Sequence, residues 1–229
     1  MEYKRGIRDG LPIALGYLSV SFTFGLMAVS GGLSIWQATL ISLLNLTSAG
    51  QFAGLDIMLA GGSFIEMALT QFIINLRYSL MSIAVSQKSD ESMTTPARLA
   101  IGFGITDEIF AVSTGKNDSV GRIYMAGLIT TPIIGWTLGT FLGAAVGNIL
   151  PSIIADSLGI AIYGMFLAII IPPAKKNIRL IFVILIAAAI SCTIYYTPLK
   201  NVISSGFTII IAAVAASALG ALLFPMDTQ

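Results

Sequence analysis

The sequence has no histidine and a single cysteine, Cys192, among its 229 residues. Without histidine it lacks Ser-His and Cys-His nucleophilic centres and any histidine proton relay. One cysteine excludes an intrachain disulfide and a thiolate metal cluster. We therefore expect neither a metal site nor a cofactor, and we expect that the protein is not an enzyme.

Charge is also scarce, since 10% of the residues are charged, against about 25% in a typical soluble domain. The net charge of +1 offers no basic face for nucleic acid. The phosphate-binding pattern G-x-x-x-x-G-K-[ST] is missing, so the chain itself is not an ATPase. By contrast, 56% of the residues are hydrophobic and the mean hydropathy is +0.91. This composition is typical of a membrane protein.

The hydropathy pattern predicts an all-α polytopic helical bundle. Seven apolar runs are long enough to cross about 30 Å of hydrocarbon. They are residues 11–30, 34–60, 64–86, 123–147, 152–171, 180–197 and 203–224. Residues 99–114 are shorter and contain Asp107 and Glu108, so they form either an eighth span or a re-entrant or broken helix. We predict one membrane domain over residues 1–229 with about eight spans, seven being the alternative, after a cytoplasmic segment at residues 1–10.

The positions of the basic residues predict how the spans are oriented in the membrane. Eight spans that begin inside place most of the positive charge in the cytoplasm, as the positive-inside rule requires. The cytoplasmic set is Lys4, Arg5, Arg8, Lys116, Arg122, Lys175, Lys176 and Arg179, and the outside set is Lys88, Arg98 and Lys200. We therefore expect a multi-pass protein of the bacterial inner membrane with both termini in the cytoplasm.

Polar residues interrupt the second apolar run at residues 45–54, which suggests a broken second helix. Gly50 and Gly54 allow the backbone to unwind, and an unwound turn exposes N–H and C=O groups that a zwitterionic solute can satisfy. The alternative is that these two glycines only permit close helix packing.

The third run sorts its side chains by helical periodicity. One arc is aliphatic and is expected to face lipid: Ile65, Leu69, Phe72, Ile73, Leu76, Leu80 and Ile83. The rest is polar and is expected to face the protein: Glu66, Thr70, Gln71, Asn75, Arg77, Tyr78, Ser79 and Ser82. Arg77 lies too far from either end to reach water by snorkelling, so it requires an acidic partner or a ligand.

Asp107 and Glu108 are the candidate partners of Arg77. Two adjacent carboxylates in an apolar helix resist joint ionisation, so the sequence predicts a proton site or a charge pair. A salt bridge that only fixes the packing is the structural alternative.

Other features carry less functional information. Glu66 and Asp156 lie near span ends and are expected to reach the interface, and Tyr17 and Trp136 are among the candidate interfacial anchors. Glycines recur every fourth residue at Gly135, Gly139, Gly143 and Gly147, which predicts a tight contact with another helix of this chain or with a separate subunit.

Four motifs together resemble the AzlC family of bacterial branched-chain amino acid exporters. They are Gly10-Leu11-Pro12, Thr47-Ser48-Ala49-Gly50-Gln51-Phe52-Ala53, Asn75-Leu76-Arg77-Tyr78 and Thr106-Asp107-Glu108. The resemblance runs from about residue 10 through the rest of the chain. It implies the large subunit of a permease that exports leucine, isoleucine, valine or methionine together with a small AzlD-type hydrophobic membrane subunit.

We therefore hypothesise a secondary transporter that exports branched-chain and other neutral amino acids and is coupled to protons. The substrate-binding candidates are Asn45, Thr47, Ser48, Gly50, Gln51, Gln71, Asn75, Arg77 and Tyr78. The candidates for coupling or charge pairing are Thr106, Asp107 and Glu108. A small-solute channel lined by the same residues is one alternative, and an intramembrane enzyme, such as an aspartate-pair protease, is another.

Overall fold

A computed structural model describes residues 1–147, 164, 167 and 170–225. The helices are α1 (Glu2–Ser30), α2 (Ile35–Leu44), α3 (Ser48–Leu59), α4 (Phe64–Lys88), α5 (Thr95–Gly102), α6 (Asp107–Thr114), α7 (Arg122–Val146), α8 (Ile178–Tyr196) and α9 (Ser205–Leu223), with a 3₁₀ turn at Pro198–Asn201. No β-strand occurs in the described part, where Ser89 and Val120 form an isolated bridge. Except for residues 164, 167, 170 and 171, the predicted span 152–171 lies outside the described residues, as does Asp156.

Five of these helices are long and apolar enough to cross a membrane: α1, α4, α7, α8 and α9. This confirms an all-α polytopic fold. The remaining helices are short. They form two consecutive pairs, α2 with α3 and α5 with α6, at the two places where the sequence pattern is interrupted by polar residues.

The described residues form two compact units. The first contains residues 1–51 and the described residues from 75 to 147, and the second contains residues 52–74 and the described residues from 164 onward. All of the contacts described below lie within one unit or the other.

In the first unit, α1 and α7 pack in parallel with their backbones in contact. A Cβ on Gly6 would lie 2.7 Å from the Leu128 nitrogen, and one on Gly25 would lie 2.7 Å from the Ala144 nitrogen. The glycines of α7 make the reciprocal approach, since a Cβ on Gly135 would meet the Ala14 carbonyl oxygen at 2.5 Å. The predicted tight contact is therefore confirmed, and α7 makes it with α1 of the same chain.

The α5–α6 pair is a hairpin that enters the first unit from the end where α1 and α7 begin. At the outer end of α5, Arg98 donates to the Ser86 hydroxyl, and just beyond the end of α6, Lys116 contacts Asp9 at 2.6 Å. Between them, Thr106 accepts a 2.7 Å hydrogen bond from Tyr17, near the centre of α1. The chain therefore turns back at residues 103–106, which corrects the expectation of a crossing and fits the re-entrant alternative.

The α2–α3 pair also turns back, but it enters from the opposite end. Trp36 packs 6.1 Å from Phe141, near the end of α7. The side chains of Ser42 and Gln51 form a hydrogen bond of 2.8 Å, whereas their positions in a continuous helix would lie about 13 Å apart along the axis. The predicted break is confirmed, but it lies at residues 45–47. Gly50 and Gly54 are helical, and a Cβ on Gly54 would approach Gln71 at 3.2 Å, which fits the packing interpretation of that glycine.

The direction of α4 follows from its contacts within the first unit. Lys88, its last residue, donates to the Lys116 carbonyl oxygen, at the end where α1 begins, so the stretch from Asn75 to Lys88 runs antiparallel to α1. Lys88 and Arg98 therefore lie at the same end as Lys4, Arg5 and Arg8, which corrects the expectation that the membrane separates the two groups. Seven basic residues share this end: Lys4, Arg5, Arg8, Lys88, Arg98, Lys116 and Arg122.

The two arcs of α4 largely follow the prediction. Six of the seven residues of the apolar arc are exposed, whereas Ile73 is half-buried. On the polar arc, Glu66 and Thr70 are buried, but Ser79 is exposed.

In the second unit, α8 and α9 are antiparallel, since Phe182 near the start of α8 packs 6.0 Å from Phe224 at the end of α9. Glu66 accepts hydrogen bonds from the Ser204 hydroxyl and, at 3.0 Å, from the Gly206 N–H at the start of α9. A carboxylate is favourable at a helix N-terminus. Glu66 is therefore buried as a cap for α9, which corrects its expected place at the interface.

Candidate functional site

The two hairpin tips approach the same stretch of α4. Tip 1 is residues 45–47, after which α3 begins at Ser48, and tip 2 is residues 103–106, after which α6 begins at Asp107. In tip 1, the Thr47 hydroxyl hydrogen-bonds to the Asn75 side chain. Just after tip 2, Asp107 pairs with Arg77. One helical turn of α4 therefore contacts both broken helices.

Arg77 and Asp107 form the expected ion pair, with a 2.8 Å separation between guanidinium nitrogen and carboxylate oxygen. The guanidinium also lies over the Tyr78 ring, 5.0 Å from its centroid. The Arg77 side chain is 39% exposed and that of Asp107 is 35% exposed. The pair is therefore formed but only partly buried.

Glu108 points to a different partner from its neighbour. Its carboxylate accepts a hydrogen bond from the Tyr17 hydroxyl, which also lies 2.7 Å from Thr106 Oγ1. Successive residues of a helix point about 100° apart, so adjacent acids at the start of α6 reach different helices. Asp107 contacts α4, and Glu108 contacts α1.

Gln51 is the buried anchor of the first hairpin, with 2% of its surface exposed. Its amide nitrogen donates to Ser42 Oγ at 2.8 Å, and its amide oxygen accepts from the Trp136 indole at 2.7 Å. Ser42 in turn shares a 2.6 Å hydrogen bond with Thr140 of α7. A buried amide with both ends paired fixes the hairpin against α7.

The structure brings most of the predicted site residues to the tips. Asn45 ends α2, Ser48 begins α3 and Gly50 is buried in the first turn of α3. Gln71 differs from the others because it belongs to the second unit, where its amide lies 3.9 Å from Met67 Sδ.

The sequence pattern did not identify two aromatic residues that lie beside the hairpin tips. Tyr17 and Trp136, expected to be interfacial anchors, lie near the centres of α1 and α7 and pack edge to face with centroids 5.2 Å apart. They link Gln51 of the first hairpin to Thr106 and Glu108 of the second. For Trp136 the available signal was its central place in the run 123–147, because interfacial aromatics favour span ends. Tyr17 lies near the start of the run 11–30 and is central only because α1 begins at Glu2.

This arrangement provides groups for both charges of an amino acid. Arg77 can pair with a carboxylate, Asp107 and Glu108 can pair with an ammonium group, and Thr47 and Asn75 offer neutral hydrogen-bonding groups. The N-terminal ends of α3 and α6, which carry partial positive charge, lie beside these side chains.

Comparison with known proteins gives the family. The AzlC protein family matches residues 12–150, which include both hairpins, α4 and α7. The chain belongs to the AzlC family. It is 33% identical to an uncharacterized membrane protein of Archaeoglobus fulgidus over 77% of this chain and 78% of that protein. It is 27% identical to the inner membrane protein YgaZ of Escherichia coli over 86% of this chain and 83% of YgaZ.

A more distant relative, an uncharacterized membrane protein of Helicobacter pylori, is 24% identical over 64% of this chain and 67% of its own length. No solved structure gives a significant match. The protein is thus a membrane protein of the AzlC family, and the family match contains all of the tip residues and both aromatic links.

Proposed function

We propose that this AzlC family protein is a secondary transporter that exports neutral amino acids, chiefly those with branched side chains, in exchange for protons. The observation that carries the proposal is the Arg77–Asp107 ion pair, which lies between two helix breaks and remains one-third exposed. Charged side chains within the depth of a membrane are costly and often mark a path for ions or substrates. Broken helices that meet at such a pair are typical of transporter binding sites.

In the proposed binding mode, Arg77 holds the substrate carboxylate and one of the two acids holds the ammonium group or exchanges a proton. The polar groups of tip 1 form the remaining hydrogen bonds to the charged groups of the substrate, and apolar residues contact the side chain of the substrate. A zwitterion satisfies both members of an ion pair, so its arrival can separate Arg77 from Asp107 without leaving either charge alone.

We further propose that the protein is oriented with its N-terminus in the cytoplasm. Seven basic residues gather at the N-terminal end of the first unit. Positive residues are retained on the cytoplasmic side of membrane proteins. Family membership supports a small AzlD-type membrane subunit as the partner, and co-expression followed by joint purification tests it.

Efflux from vesicles containing the full chain and this subunit tests the transport site. Arg77→Ala, Asp107→Asn and Glu108→Gln are each expected to abolish net leucine efflux, because each removes a charged group beside the tips. Arg122→Ala and Asp118→Asn are the matched controls, since both side chains are exposed outside the tips, and they are expected to transport at the wild-type rate. Wild-type efflux by all three of the Arg77, Asp107 and Glu108 variants contradicts the proposal. Efflux that does not saturate with leucine supports the channel alternative.

A further inference from the structure

The two neighbouring acids at the start of α6 differ in how their charge is compensated. Asp107 has a guanidinium nitrogen at 2.8 Å. Among the described residues, no cationic nitrogen lies within 4.0 Å of Glu108. A cation partner favours the charged form of a carboxylate, whereas a carboxylate without such a partner lacks this stabilisation of its charge.

Among the described residues, the charged and titratable groups near Glu108 come from three helices, α1, α4 and α6. Tyr17 faces it from α1, Asp107 precedes it on α6, and Arg77 and Tyr78 lie beyond Asp107 on α4. The neighbouring ring from α7 is Trp136, which does not titrate and packs on Tyr17. The charge nearest to Glu108 along the chain is therefore another carboxylate, and the cation of the cluster is already paired with that carboxylate.

Tyr17 has one hydroxyl proton and two acceptors within reach, Glu108 Oε2 and Thr106 Oγ1. A hydroxyl donates one hydrogen bond at a time. An ionised Glu108 is the stronger acceptor, because a hydrogen bond to a charged oxygen is stronger than one to a neutral oxygen. When Glu108 is protonated, the Tyr17 hydroxyl is released to donate to Thr106.

Thr106 is the last residue of tip 2 and has an extended backbone with φ −119° and ψ 174°. Its carbonyl oxygen accepts the 2.8 Å hydrogen bond from the Phe110 N–H that starts α6. A change in the hydrogen bond from Tyr17 to Thr106 therefore acts at the point where the second hairpin turns back.

We propose that Glu108 carries the exchanged proton and that Tyr17 is the positioning residue that couples this proton to tip 2. The assignment rests on the proposed transport function, and it leaves Asp107 as the charge partner of Arg77 and of the substrate. In the cycle, water on one side of the membrane gives a proton to Glu108 Oε2, and the same proton returns to water on the other side. No other bond is made or broken.

Two assays in vesicles separate this role from substrate binding. Net leucine efflux driven by a proton gradient requires the exchanged proton, whereas leucine–leucine exchange at equal pH does not. Glu108→Gln is expected to lose at least about tenfold in net efflux and to lose its pH dependence, with a clearly smaller loss of leucine–leucine exchange. Asp107→Asn and Arg77→Ala are expected to lose both activities.

Tyr17→Phe tests the positioning role without removing a carboxylate. The variant removes the hydrogen bond that Tyr17 donates to the Glu108 carboxylate, and the pH of half-maximal net efflux is expected to rise by about one unit. Tyr3→Phe is the matched control, because the Tyr3 hydroxyl bonds to Thr130 at the surface, and its midpoint is expected to stay unchanged. Glu2→Gln controls for the loss of an exposed acid.

Three results would overturn the assignment. Glu108→Gln could keep the wild-type pH dependence, Asp107→Asn could show the exchange-only behaviour in its place, or Tyr17→Phe could leave the pH midpoint unchanged. A wild-type protein that neither exports nor exchanges amino acids is a separate result. It would remove the transport function itself and with it the role of Glu108.

Discussion

The seam between α1 and α7 and the tips of the two hairpins are held together in opposite ways. Along the seam, glycines let two backbones touch, and an added methyl group on Gly143 would lie 2.7 Å from the Phe22 carbonyl carbon. At the tips, the contacts are made by polar side chains, some of which have a choice of partner, as Tyr17 has. Backbone contact over many turns permits one arrangement, whereas exchangeable hydrogen bonds permit several.

This difference suggests that the seam and the hairpins have different roles within the first unit. The seam acts as the fixed part against which the hairpins are positioned, with Tyr17 and Trp136 projecting from its two helices toward the tips. Elements that move during a functional cycle are usually those with few close-packed contacts. We therefore expect the hairpins, rather than the seam, to change when substrate or a proton arrives.

The largest expected effect comes from testing whether the chain turns back in the second hairpin. The test is thiol labelling, in which a position is either labelled or not. In a Cys192→Ser background, Glu91→Cys and Ser119→Cys flank the α5–α6 pair, and Gly31→Cys marks the other end of α1. All three positions are exposed. An impermeant thiol reagent applied to intact cells is expected to label Gly31→Cys and neither of the other two variants. Labelling of Glu91→Cys but not of Ser119→Cys would mean that α5 and α6 cross the membrane.

The seam itself is tested by adding one methyl group. Gly143→Ala is expected to lower the free energy of unfolding by about 3 kcal/mol, because backbone atoms of α1 occupy the space and cannot move aside individually. Gly16→Ala is the matched control on α1, since no described residue outside the adjoining turns of α1 comes within 4 Å of the added Cβ, and it is expected to stabilise the helix by up to about 1 kcal/mol. Thermal melting of the detergent-purified protein measures both. Equal melting temperatures would show that the seam is not rigid.

A smaller effect is expected where a tip is anchored by side chains. Gln51→Leu leaves the Trp136 indole without its acceptor and is expected to cost about 1 to 3 kcal/mol. Gln87→Leu makes the same chemical change at an exposed position of α4 and is expected to be close to neutral. The same melting assay compares them. A Gln51→Leu protein as stable as wild type would show that the amide does not anchor the hairpin.

Sequence reasoning located the helices and the polar residues well, because both are local properties. Arg77 required an acidic partner on grounds of depth alone, and Asp107 and Glu108 were the candidates. The choice between them depended on the direction in which α6 leaves tip 2. Sequence alone did not contain that direction.

The path of the hairpins was harder to predict for a different reason. Hydropathy measures how much apolar chain is present, and two half-helices that turn back contain as much as one helix that crosses. The broken second helix was therefore recognised but expected to cross, and residues 99–114 remained ambiguous. Tyr17 and Trp136 were missed because their role depends on two helices that are far apart in sequence.

The sequence by itself determined that this is a helical membrane protein of the AzlC family. The length of the apolar runs, the scarcity of charged residues and the order of the four motifs are all properties of the linear sequence. Only the tertiary structure decided that α1 pairs in parallel with α7, that the two short-helix pairs turn back, and which acid meets Arg77. These features depend on distances between segments that lie tens of residues apart, and the distances follow from packing, which no local pattern records.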